Sequence, residues 1–100
     1  MKTALIIAAA LLAFAGTASA SQSLAQKSGC LGCHQVDKKV VGPAFKDVAK
    51  KYKGNAKAEE HIAGVVHNGS KGVWGAMPMP AQSQVKSDDA KALAKWIMSL

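Results

Sequence analysis

The sequence predicts an all-α domain of about four short helices. Three observations carry that expectation. Apolar residues recur at helical spacing in the segments 44–52, 58–68 and 87–100. No stretch alternates apolar and polar residues as a half-buried strand would. Gly42-Pro43, Gly54-Asn55 and Gly69-Ser70 fall between the periodic segments, where helices are expected to break.

Residues 1–20 read as a secretory signal, cleaved on export. Lys2 gives the positive start, Ala4 to Ala15 an uncharged apolar run, and Ala18-Ser19-Ala20 a small-x-small cleavage site. The run is shorter than the roughly 20 apolar residues of a membrane span, so no stable membrane insertion is expected. The mature chain is then a single domain, residues 21–100, placed outside the cytoplasm. Such small domains are marginal: a chain of about 60 residues buries only about 60% of its unfolded surface.

Ser21 or Ser23 is positioned to cap a first helix through Leu24, Ala25 and Lys27, with Leu24 and Ala25 inward and Gly29 permitting close helix packing. Asp37-Lys38-Lys39 forms a polar loop tip. Proline is favoured at the first helical position, so Pro43 leads into a second helix at 44–52. Phe45, Val48, Ala49 and Tyr52 are its core-facing stripe.

The third helix is expected at about 58–68, with Ile62, Val65 and Val66 apolar, Glu59 and Glu60 near its positive end, and Gly69 as its stop. A long loop at 70–86 holds Trp74, Met77, Met79 and their flanking prolines; loops of that length are usually functional. Ser87 is the expected cap of the last helix, Asp88 and Asp89 lie in its first turn, and Leu93, Ile97 and Leu100 with Trp96 form its buried stripe.

Chemistry concentrates in Cys30-Leu31-Gly32-Cys33-His34, which uses both cysteines of the chain. C-x-x-C-H is the attachment signature of a c-type haem. Each thiol adds to one porphyrin vinyl group, and one helical turn between the sulfurs matches the vinyl separation. His34 then lies under the ring, where its imidazole can bind iron, and Gly32 lets the backbone approach the ring face. With both thiols so used, no disulfide is available, and a covalent haem supplies the apolar mass the small core lacks.

Other chemistries fit less well. A thioredoxin-like dithiol belongs in a βαβ setting, which this sequence lacks. A zinc site needs four ligands, and His61 and His67, the other imidazoles, stand at irregular spacing. Both are read as solvated helix residues. Met77, Met79 and Met98 are the thioethers open to a second axial position. Met98 shares a helix that already points Leu93 and Ile97 inward, whereas Pro78 and Pro80 fix the backbone on both sides of Met79. Trp74 reads equally as core or as a hydrogen-bond donor to a ligand.

All 13 basic residues are lysine, and residues 21–100 hold 12 of them against 6 acids. That balance raises nucleic-acid binding, but the lysines are scattered, no arginine accompanies them, and an exported chain does not meet nucleic acid. An acidic protein partner is expected instead.

Taken in order, Cys30-Leu-Gly-Cys-His34, Val41-Gly-Pro-Ala-Phe45, Asn68-Gly-Ser-Lys-Gly-Val-Trp-Gly75, Met77-Pro-Met-Pro80, Ser87-Asp-Asp89 and Leu93-Ala-Lys-Trp-Ile97 resemble the small bacterial class I cytochromes c, of the cytochrome c-551 type. The resemblance implies short helices wrapped round one haem c, held through Cys30 and Cys33. It implies His34 as proximal ligand with its ring N–H on the Pro43 carbonyl, Met79 as distal ligand, Trp74 donating to a haem propionate, and Trp96 packed between the terminal helices.

Two departures stand out. Ala81-Gln82 replace the Pro-Asn that often follows Pro-Met in this group, which leaves Gln82 as the substitute support for the methionine sulfur. The absent arginine leaves Trp74 and a lysine such as Lys71 to meet the propionates.

The resemblance implies a monomeric periplasmic single-electron carrier, not an enzyme. Its expected partners are respiratory or denitrification proteins such as a cytochrome bc complex, a terminal oxidase or a nitrite reductase. The alternative is a haem protein with a labile distal ligand that binds peroxide or a diatomic gas. Rapid carbon monoxide binding to the reduced protein would distinguish it.

Overall fold

The computed structural model describes residues 22–100, so the expected signal segment and the cap at Ser21 lie outside the described residues. Residues 22–27 are helical (α1). A 3-10 turn, Cys30–Gly32, follows, and then α2 (Phe45–Lys51), α3 (Ala58–Asn68) and α4 (Ser87–Met98). Among the described residues there is no strand; isolated antiparallel bridges join His34 to Lys39 and Ser70 to Met79. The all-α expectation stands.

Local sequence explains where each element starts and stops. Gly29 separates α1 from the cysteine turn with φ 81° and ψ 8°. A Cβ there would meet no atom within 4 Å, so its role is the left-handed backbone and not the close helix packing expected of it. A side chain in that conformation costs about 1–2 kcal/mol.

The second helix begins at Phe45, one residue later than expected, and Pro43 precedes its cap residue Ala44. The cause is tertiary. The Phe45 and Lys46 N–H groups donate to the Gln35 and Val36 carbonyls at 2.9 and 3.1 Å, so the preceding loop caps the helix. Asp47 near the start, with Lys50 and Lys51 near the end, suits the helix dipole.

α3 has the expected bounds and ends at Gly69, with φ 76°. α4 starts at Ser87 itself, after Lys86, and no side chain caps it; Asp88 and Asp89 supply the favourable charge instead.

α3 packs along α4, and α2 also meets α4. Most of the buried side chains fall into two groups. Ala25, Val66, Val85, Ala90 and Leu93 form one; Phe45, Val48, Ile62, Ala94 and Ile97 form the other. Cys30, Ala63 and Trp96 touch both. Leu100 lies beyond the end of α4 and is 40% exposed, so it does not continue the buried stripe as expected; Ala90 and Ala94 complete it. Among the described residues, Leu93 is the one large side chain with less than 2% of its surface exposed. Leu93→Ala should therefore destabilise the haem-loaded protein by about 2–5 kcal/mol. Leu100→Ala should stay within about 0.5 kcal/mol. Denaturant midpoints of the two variants check this.

Candidate functional site

The two buried groups leave a cleft between them, a cavity of about 340 Å³. Cys30, Cys33, His34, Pro43, Trp74 and Met79 all line it, so the structure brings every residue expected at the site to one place. Phe45, Ile62, Val66, Leu93 and Ile97 supply apolar wall.

The 3-10 turn sets the two thiols. Cys30 is half-buried and Cys33 exposed, and both are free. Burial pushes the Cys30 thiol pKa up, the Cys33 thiol adds to the rise, and a backbone hydrogen bond opposes it. The His34 N–H donates back to the Cys30 carbonyl at 2.9 Å, which fixes the imidazole one turn along.

His34 is held on several sides. Its Nδ1 lies 2.8 Å from the Pro43 carbonyl oxygen. A carbonyl only accepts, so Nδ1 carries a proton, and in the neutral ring Nε2 keeps its lone pair. The Phe45 ring stacks on the imidazole at 5.0 Å and 20°, and Trp96 meets Phe45 edge-on at 5.5 Å. Gly42 is pressed against the ring: a Cβ there would stand 2.5 Å from Cε1 and 2.9 Å from Nδ1. The Val41 and Gly42 N–H groups both donate to the Cys33 carbonyl, at 3.2 and 2.7 Å, and tie this loop to the cysteine motif.

Met79 is half-buried and its backbone is paired. Its N–H donates to the Ser70 carbonyl at 2.8 Å, and the Ser70 N–H returns a bond at 3.0 Å. Gly69 lies so close that a Cβ would stand 2.5 Å from the Met79 carbonyl oxygen. Met77 also lines the cleft but is 66% exposed. Met98 packs in the second buried group and is not part of the cleft wall.

Gln82 lines the cleft, and its backbone N–H donates to the Val66 carbonyl at 2.8 Å. Its amide nitrogen donates to the Pro80 carbonyl at 3.0 Å and its amide oxygen accepts from Gln84 at 3.0 Å, so one amide hydrogen is left over for another acceptor.

The Trp74 end of the cleft holds side chains that the sequence did not assign to the site. Tyr52 and His61 line it along with Trp74 and Lys71. The Lys51 ammonium lies 5.3 Å from the centre of the Trp74 ring and 6.0 Å from that of Tyr52. His61 was expected to be merely solvated. It is exposed, but its Nε2 lies 3.2 Å from the Tyr52 hydroxyl. The available signal was its position one turn before Val65, which places it on the cleft-facing side of α3. His67 is half-buried, with its Nε2 enclosed and unpartnered, which also departs from the solvated reading.

This donor set fits a haem. The thiols, the imidazole with a free Nε2, the thioether and the apolar wall share one cleft, and the place a Gly42 side chain would fill belongs to the His34 ring. Among the described residues no three His, Cys, Asp or Glu side chains gather as a metal site, so the zinc reading gains no support. The helical fold removes the thioredoxin-like one. Fold and cleft together define a c-type haem protein.

Comparison with known proteins agrees. The family model for cytochrome c matches residues 18–100. Cytochrome c-552 of Nitrosomonas europaea is 51% identical, across 100% of this chain and 99% of that protein. Cytochrome c-551 of Pseudomonas aeruginosa is 46% identical, across 95% of this chain and 90% of that protein. The crystal structure of wild-type Nitrosomonas europaea cytochrome c552 superimposes with a TM-score of 0.78 at 52% identity, covering 79% of this chain and 98% of that one. The chain belongs to the cytochrome c family. It is a small class I cytochrome c of the c-551 type, an electron carrier and not an enzyme, with a covalently attached c-type haem.

Gly42→Ala should break the seating of His34, because the ring must move off the new methyl group. The expected result is a loss of about 1–3 kcal/mol, with shifted proton signals of the His34 ring. Gly64, inside α3, has nothing within 4 Å of an added Cβ. Gly64→Ala should stabilise by about 0.5–1 kcal/mol. Thermal melts and proton NMR of the two holoproteins check both.

Proposed function

We propose that this protein is a periplasmic single-electron carrier with its haem joined to Cys30 and Cys33 and its iron ligated by His34 and Met79. The observation that carries the reading is the pair of braced donors in one cleft: His34 held by Pro43 and Met79 held by Ser70. The haem supplies a one-electron ferric–ferrous couple when bound. The residues do the rest. Pro43 holds the His34 tautomer and adds to its basicity. The Met79 thioether and the His34 imidazole would be the two residues to hold the iron, and a thioether ligand would raise the potential. The apolar wall excludes water and disfavours the extra ferric charge. Trp74 is the proposed propionate donor, assisted by Lys71 and by Lys51 above its ring.

Residues 1–20 are the proposed export signal and 21–100 the mature, monomeric domain. Among the described residues no helix is long and apolar enough to cross a membrane. An electron carrier works through transient contacts. The proposed partners are respiratory or denitrification proteins such as a cytochrome bc complex, a terminal oxidase or a nitrite reductase, with no nucleic acid involved. Lys27, Lys38 and Lys39 are exposed near the cysteine motif, and Lys39 lines the cleft. Asp37 pairs with Lys46 at 2.6 Å.

Two measurements test this reading. Met79→Ala should abolish the weak red charge-transfer band of a ferric iron–thioether bond, and Met77→Leu should keep it; the reverse pattern would transfer the ligand to Met77. The second-order rate with an acidic redox partner should fall as salt rises, because rim charges are screened beyond about 8 Å at physiological ionic strength. A flat profile would move docking to apolar contacts.

A further inference from the structure

His61, on α3, and Tyr52, at the end of α2, stand side by side at the edge of the cleft. Their ring centroids are 5.0 Å apart at 54°, and the imidazole Nε2 lies 3.2 Å from the phenol oxygen. Both line the cleft, yet His61 remains exposed to solvent. An imidazole so placed exchanges protons with water while lying beside a centre that changes charge. We propose that His61 is a redox-linked proton site, which binds its proton more tightly in the ferrous protein and gives it up to water on oxidation. The proposal rests on the reading that this cleft holds the haem.

Two couplings support it. The first is charge. Reduction adds an electron to the cleft, and a nearby imidazolium is then stabilised relative to neutral imidazole. By linkage, a protonated His61 favours the reduced protein by the same factor. In balance, one electron arrives from the donor protein while a proton arrives from water at the His61 ring. On oxidation the electron leaves to the acceptor protein and the proton returns to water.

The second coupling is directional. A neutral ring with a bare Nε2 accepts the Tyr52 O–H. The cationic ring carries protons on both nitrogens, so Nε2–H must donate to the Tyr52 oxygen. The phenol hydrogen is then released to another acceptor, and Tyr52 lies in the cleft wall. Protonation at the surface is thereby reported to the interior as a reversed hydrogen bond.

The neighbouring charges are of other kinds. From α2, Asp47 lines the same cleft and Lys51 lies 6.0 Å from the Tyr52 ring centre, and Lys71 of the loop after α3 lines it too. Just before α3, Lys57 lies one turn back, its carbonyl accepting the His61 N–H at 2.9 Å, and Glu60 precedes the ring in sequence. From α4, Lys91 shares a surface recess with Glu60. Lysines and carboxylates ordinarily titrate outside the range of about pH 5–8 in which imidazole does.

The test is the reduction potential of the holoprotein across about pH 5–8, with proton NMR of the His61 ring in both oxidation states. Covalent haem is verified first by intact mass, so that failure of the haem reading is told apart from failure of this one. The potential should fall as pH rises through the His61 titration, and His61 should titrate at higher pH in the ferrous protein. His61→Gln should remove that segment of the profile, and Tyr52→Phe should shrink the difference between oxidation states. A His61→Gln profile matching that of the parent, or a single His61 titration common to both states, overturns the proposal.

Discussion

The hydrogen bond from His34 Nδ1 to the Pro43 carbonyl is the constraint on which the site depends. Such a bond contributes only about 1 kcal/mol net, but its value here is specification. It commits one ring nitrogen to the protein and leaves the other as a lone pair. Its geometry requires Gly42, because any side chain there would occupy the volume of the ring. It requires the loop between Cys33 and Gly42 to fold back, which the shared Cys33 carbonyl achieves. The same loop donates the carbonyls that start α2, and α2 places Phe45 against the imidazole. Loop, helix start and ligand seat are one construction.

The rest of the interior is thin. Its buried residues include many alanines, and among the described residues Leu93 is the one large side chain that is fully enclosed. Val41, Val73, Trp74 and Met77 are large, apolar and exposed, and all of them line the cleft. These surfaces are what an apolar cofactor would cover, so the cofactor serves as the middle of the core and not as a guest. Cys30 belongs to this scheme: it touches both buried groups, and burial raises its thiol pKa.

Much of this was legible in the chain. The bounds of α3 follow from Ala58 to Gly69 because propensity, charge and stop signal agree there. The six expected site residues meet because motif spacing encodes chemistry directly. The departures share one cause, interactions between segments distant in sequence. Pro43 does not open α2, because carbonyls from the loop beginning at Gln35 already cap it. Ser87 does not act as a side-chain cap where the acidic first turn already favours the helix end. Leu100 fits the helical period but lies after the helix has ended. Tyr52 and His61 belong to two helices whose separate patterns do not reveal that their rings meet.

The pairing of Ser70 with Met79 has a consequence for how such a protein can change over evolutionary time. Two backbone hydrogen bonds clamp the ends of segment 71–78, and Gly69 and Gln82 anchor the clamp to α3. The clamped span is therefore a cassette: its tip can be rewritten while its ends stay in register. The entropy of closing a loop grows only slowly with its length, so even insertions at the tip strain the clamp little. Lineages can thus remodel Gly75-Ala76, the part of the span that does not line the cleft, while the backbone of Met79 keeps its place.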